Sequence, residues 1–82
     1  MKKNKKGIIN IVWSDIDSKL ISDLDYHYDG TNSMLQVTFI SNESYVYNNV
    51  EIDDIIRLLK AESVGSEFSK AIRTSYPYKK VS

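Results

Sequence analysis

Five residues near the end of the chain interleave cations with aromatic rings: Lys70, Arg73, Tyr76, Tyr78 and Lys79. A guanidinium or ammonium group beside a ring can hold a phosphate while the ring stacks on a base. These five are therefore the candidate ligand-binding residues, with RNA or a nucleotide as the ligand. Arg73 would take the phosphate, Lys70 and Lys79 would add attraction, and Tyr78 would stack. Tyr76 precedes Pro77, which biases it away from helical angles, and its ring is expected to be pinned into the core. A plainer reading of the same residues stands beside this one. Glu67 would pair with Lys70, the two tyrosines would close the end of the core, and the lysines would only be solvated.

His27, the sole histidine, lies between Asp25 and Asp29 on one side of an extended segment. A histidine among carboxylates suggests a metal ligand or a general base. It has no second histidine, no cysteine and no nucleophile at a recognisable spacing, so an exposed surface residue is expected. Ser63 and Gly65 form no nucleophile elbow, and the chain contains no glycine-rich phosphate loop. The residue types point to binding rather than catalysis, with no metal and no cofactor.

Tyr45 and Tyr47, two residues apart, could be a stacking platform for bases on a sheet surface. Alternation opposes this. Leu20, Leu24, Tyr26 and Tyr28 share one face of a strand, and Asp23, Asp25, His27 and Asp29 share the other. If helices cover the apolar face, the tyrosines point inward and the open face is acidic, which repels phosphates. Phe39, Tyr45, Tyr47, Ile56, Phe68 and Ile72 are then expected in one core, with Asp23, Asp25 and His27 exposed.

The elements that position these residues follow from period. Asp29 to Ser33 reads as a turn, Leu35, Val37 and Phe39 as the dry face of a second strand, and Ser41-Asn42-Glu43 as a second turn. Tyr45 to Tyr47 is a third strand, completing an antiparallel three-stranded meander. Ile8 to Trp13 is rich in β-branched residues and adds a short extra strand. Ile52, Ile55, Ile56 and Leu59 then recur at three and four, which marks a helix, with Asn49 as its expected N-cap. Ser63 caps a second helix that buries Val64, Phe68, Ala71 and Ile72 and ends before Pro77. The fold class is α+β, a meander packed on one face by two C-terminal helices. Residues 1–7 read as a flexible basic arm and residues 8–82 as a single domain.

The 82-residue chain has no cysteine, which excludes a disulfide framework and cysteine-based zinc sites. No apolar run approaches the ~20 residues needed to cross a bilayer. The lysine-rich start lacks a signal-peptide cleavage pattern, so a cytoplasmic protein is expected. The formal net charge is zero but sorted. Four lysines fill residues 1–6, one lysine faces nine acids over residues 7–56, and six bases face two acids over residues 57–82. An anionic partner should therefore meet the C-terminal half.

Spaced motifs add a resemblance. Leu35-x-Val37-x-Phe39, Tyr45-x-Tyr47 with Val50, Ala61-x-Ser63-x-Gly65-x-x-Phe68, and Ile72-Arg73 before Tyr76-x-Tyr78 together resemble the KTSC family. That family takes its name from a C-terminal extension of some lysyl-tRNA synthetases. Similar proteins often carry glycine where this chain has Asn42, and proline where it has Glu51; both replacements suit a tight turn and a helix start. The resemblance implies the α+β fold and a proposed role in RNA binding. Two function classes follow: a non-catalytic module for RNA or a nucleotide, and a small stand-alone protein-interaction factor. The latter would be an accessory or inhibitor protein of the phage type that binds a host protein.

Overall fold

A computed structural model describes residues 7–81. The basic arm expected over residues 1–7 therefore lies outside them, apart from Gly7. Five strands form one antiparallel sheet in sequence order: β1 (Ile9–Trp13), β2 (Ile21–Tyr28), β3 (Ser33–Phe39), β4 (Ser44–Asn48) and β5 (Tyr78–Lys80). Two helices, α1 (Ile52–Lys60) and α2 (Val64–Ala71), lie between β4 and β5 in the chain. The sheet is thus wider than the three-stranded meander expected. The extra N-terminal strand is present and pairs with β2, Ile11 opposite Tyr26. β5 has no precedent in the sequence reading, because its three residues are all exposed and carry no burial alternation.

The turns follow local chemistry. The Asp29 carboxylate accepts from the amides of Thr31 at 2.9 Å and Asn32 at 2.7 Å, fixing the β2–β3 reversal. Those bonds hold the Asp29 carboxyl below the usual carboxylate range. Asn42 takes a left-handed φ of 73° in the β3–β4 hairpin, a conformation asparagine tolerates where glycine would be the default.

One face of the sheet is dry. Ile21, Leu24 and Tyr26 from β2, Leu35 and Val37 from β3, and Tyr47 from β4 are buried against Ile55 and Leu58 of α1 and Val64 and Phe68 of α2. Ile72, just past α2, completes this core. Phe39 and Tyr45 pack at its margin. The position of Leu20 differs from expectation, since β2 begins at Ile21 and is irregular between Ile21 and Asp23. A bulge inserts one residue and flips the alternation. Ile21 and Leu24 therefore face inward although they are three apart.

The helix stripes differ similarly. Ile55 and Leu58 are the buried residues of α1, whereas Ile56 is 40% exposed and Leu59 is 43% exposed. Five apolar residues make an arc wider than one covered face, and the core takes the Leu58 side of it. Ile56 is thus outside the core that the periodicity assigned to it. Asn49 does not cap α1. It adopts a φ of 64° and donates its amide to the Ser33 carbonyl, leaving Glu51 in the cap position without a side-chain bond. Ser63 does cap α2, its hydroxyl accepting from the Ser66 amide at 3.3 Å.

Of the three residues expected to be exposed on the open face, Asp25 is exposed, whereas Asp23 and His27 are half-buried. The Asp23 carboxylate accepts the Asp15 amide at 3.1 Å, and His27 meets Asn10, its cross-strand neighbour on β1. The extra strand shields His27, and the segment just after it contacts Asp23.

Candidate functional site

The site grows from the far end of α2. The Phe68 carbonyl accepts from the amides of both Ile72 at 2.9 Å and Arg73 at 3.0 Å, which tightens the helix end. Ile72 is fully buried there, and Arg73 faces out. The chain then turns through Pro77, whose carbonyl accepts the Asn48 amide at 3.0 Å, and enters β5 beside β4. Tyr78 falls opposite Tyr47, Lys79 opposite Val46 and Lys80 opposite Tyr45. Directly paired residues share a face, so Tyr78 and Lys80 join the tyrosine side while Lys79 stands on the open face.

The outcome is a closed circuit of rings. Phe39 meets Tyr45 at 5.6 Å between centroids, Tyr45 meets Tyr78 at 5.7 Å, and Tyr78 meets Tyr47 at 5.4 Å. Tyr47 meets Phe68 at 5.4 Å, and Phe68 returns to Phe39 at 5.8 Å. The contacts with Phe68 are edge-on, the arrangement the ring quadrupoles favour. Above this circuit lies a groove of about 520 Å³, lined by Phe39, Tyr45, Tyr47, Tyr78, Arg73 and Tyr76 among others. Phe68 lies beneath it, fully buried.

The charges are few. Among the described residues Arg73 forms no ion pair. Lys80 pairs with Glu43 at 2.9 Å; that contact holds the Glu43 carboxyl below its ordinary range and raises the Lys80 ammonium. Burial pushes the Tyr47 phenol up, and the positive charge of Arg73 opposes that push. Tyr76 is fastened to the start of α1: its hydroxyl donates to Asp54 and accepts the Glu51 amide at 3.3 Å. Burial, then the Asp54 bond, raise its pKa. Tyr76 is thus a wall of the groove with its hydroxyl already committed.

Of the five residues proposed from sequence, the fold brings Arg73, Tyr76 and Tyr78 to one groove. Lys70 pairs with Glu67 at 3.7 Å and lines a different depression with Gly65 and Ser66, and Lys79 is across the sheet. Phe39, Tyr45 and Glu43 were missed as groove residues, and Lys80 as the ion-pair partner of Glu43. Tyr47 is in the core as expected, 3% exposed, yet it also borders the groove. The signal available for Lys80 was the alternation Tyr78-x-Lys80, which becomes readable only once the tail is known to be a strand.

The family model for the KTSC domain matches residues 17–76. The chain belongs to the KTSC domain family. The match ends at Tyr76, so Tyr78 and the rest of β5 lie beyond it. The crystal structure of a KTSC domain protein from Yersinia pestis superimposes with a TM-score of 0.75. It is 23% identical in sequence, and the superposition covers 90% of this chain and 100% of that one. The two KTSC domains thus share a fold. No curated protein matches the chain. Within this KTSC domain, Ser63 and Gly65 of the family-like motif have structural duties. Ser63 caps α2, and a Cβ on Gly65 would sit 3.2 Å from both Leu20 Cβ and Ser18 Oγ. No helix among the described residues is long and apolar enough to cross a membrane.

Proposed function

We propose that this KTSC domain is a non-catalytic binding module that takes RNA or a nucleotide in the groove over Tyr45, Tyr47 and Tyr78. The observation that carries the reading is the juxtaposition of an exposed ring, Tyr78, with an unpaired guanidinium, Arg73, at one groove. A base stacks on such a ring with about 1–3 kcal/mol of binding energy, tolerant of sequence. The guanidinium takes the adjoining phosphate. Arg73, the one basic residue lining the groove and without an ion pair among the described residues, suits one phosphate and one base rather than a long strand, which would need cations along its whole track. The acidic open face, with Asp25 exposed, favours the groove side for any polyanion.

The test is fluorescence anisotropy with a labelled single-stranded tetranucleotide RNA. Tyr78→Ala should weaken binding by about tenfold, the lower end of one stacking contact. Arg73→Gln should also make the log–log salt slope shallower by about one unit. Parental affinity and salt slope in both variants would overturn the reading.

A protein-partner role has its own support in Ile56 and Leu59, apolar residues left exposed side by side on α1. Ile56→Asp with Leu59→Asp would abolish capture of a host protein under that reading and leave RNA binding intact.

A further inference from the structure

Tyr26, Tyr28 and Tyr76 each commit their hydroxyls to a partner: the Val50 carbonyl at 3.3 Å, the Gly30 carbonyl at 3.1 Å and the Asp54 carboxylate. Tyr47 is 3% exposed, and among the described residues its hydroxyl has no hydrogen-bond partner. A phenol on a residue this buried, with no protein partner among the described residues, calls for a reason. This one borders the groove, with the charge of Arg73 acting on it. Leaving such a donor unmade carries a desolvation penalty that an arriving acceptor would relieve.

We propose that the Tyr47 hydroxyl and the Arg73 guanidinium form a subsite for a terminal phosphate monoester, so that the groove reads the phosphorylated end of a strand or a free mononucleotide. This rests on the nucleotide reading above and narrows it. An internal phosphodiester carries a nucleoside on both sides, and both would have to leave the groove again. A group at the end of a ligand can approach a residue as buried as Tyr47 without threading the rest of the ligand past it. The monoester also presents three oxygens that accept hydrogen bonds and up to two negative charges, against one for the diester. The Tyr47 O–H and the guanidinium N–H groups, with one full positive charge, suit that group. Lys80 does not compete for the phosphate, because Glu43 neutralises it.

The experiment compares three RNA probes on the full chain: a tetranucleotide with a 5′-phosphate, the same tetranucleotide with a 5′-hydroxyl, and the mononucleotide UMP as competitor. The phosphorylated strand should bind about tenfold tighter than its hydroxyl twin, as for one charge-assisted hydrogen-bonded group. Tyr47→Phe should shrink that gap to about twofold without lowering Tm, since it deletes a hydroxyl that holds nothing in the free protein. Arg73→Gln, at an exposed position, should do the same. Competition by UMP assigns the free nucleotide as a ligand; binding of the phosphorylated strand without UMP competition assigns the strand end. Equal affinity of the two tetranucleotides overturns the terminal-phosphate subsite while the groove reading stands. An undiminished gap in Tyr47→Phe overturns the assignment to Tyr47. Absence of binding by all three probes overturns the subsite and the groove reading together.

Discussion

Replacing Gly65 by alanine sets helix propensity against packing. Gly65 lies in the first turn of α2, where alanine would gain up to about 1 kcal/mol of helix propensity. The added Cβ, however, would stand 3.2 Å from Leu20 Cβ and 3.2 Å from Ser18 Oγ. Neither atom is the free end of a flexible side chain. Leu20 Cβ is attached directly to the backbone that leads into the β2 bulge. Ser18 Oγ is tied down by the amides of Leu20 at 3.1 Å and Ile21 at 3.2 Å. Relief requires α2 to lift by a few tenths of an ångström or the serine to abandon two backbone donors. Overpacking of this kind costs about 1–3 kcal/mol, so the net effect is a destabilisation of up to about 2 kcal/mol. For a domain of this size that lowers Tm by up to roughly 8–16 °C. Thermal melting followed by far-UV circular dichroism measures it. A Gly65→Ala protein melting at or above the parent temperature would refute the packing argument.

Phe68→Ala removes a fully buried ring that has edge contacts with Phe39 and Tyr47; it should cost about 3–5 kcal/mol, read as a fall in urea midpoint by circular dichroism. Tyr26, Tyr47 and Tyr76 have raised pKa values in the fold, so their neutral forms are favoured there. Their contribution is complete below the unfolded tyrosine value of about 10 and is lost as pH rises through the folded values. Tm should accordingly fall above about pH 10, and Tyr47→Phe should make that fall shallower. Lys79→Gln should leave RNA affinity within about twofold of the parent at moderate salt, because Lys79 lies across the sheet from the groove, whereas Arg73→Gln should not.

The strands of the meander and both helices were legible because each carries a period that only one element satisfies. Leu35, Val37 and Phe39 alternate, and Val64 and Phe68 recur at helical spacing. Among the features that escaped, three did so for clear physical reasons. The β2 bulge reverses the alternation at Ser22, and nothing in the residue types there marks an inserted residue. On α1 the apolar arc admits two stripes, and tertiary packing chose the one through Leu58. β5 is an exposed edge strand held by main-chain pairing with β4 and by the bond from the Val81 amide to the Ser44 carbonyl at 2.9 Å, so burial leaves no trace in its sequence. The candidate site inherits that last gap. Arg73 and Tyr78 stood out as a cation near a ring, but the partners Phe39 and Tyr45 come from a distant hairpin that β5 brings alongside. The pairing of Lys70 with Glu67 was the plainer of the two readings of that lysine.

The most direct test of the groove as the binding site is a two-dimensional ¹H–¹⁵N NMR titration of the labelled protein with the 5′-phosphorylated tetranucleotide. The expected result is a set of amide shifts confined to Phe39, Tyr45, Tyr47, Arg73, Thr74 and Tyr78, moving together along one saturating curve. Shifts gathered instead on Asn10, Asp25, Gln36 and Val46, the open side of the sheet, would contradict it, as would a spectrum left unchanged at saturating RNA.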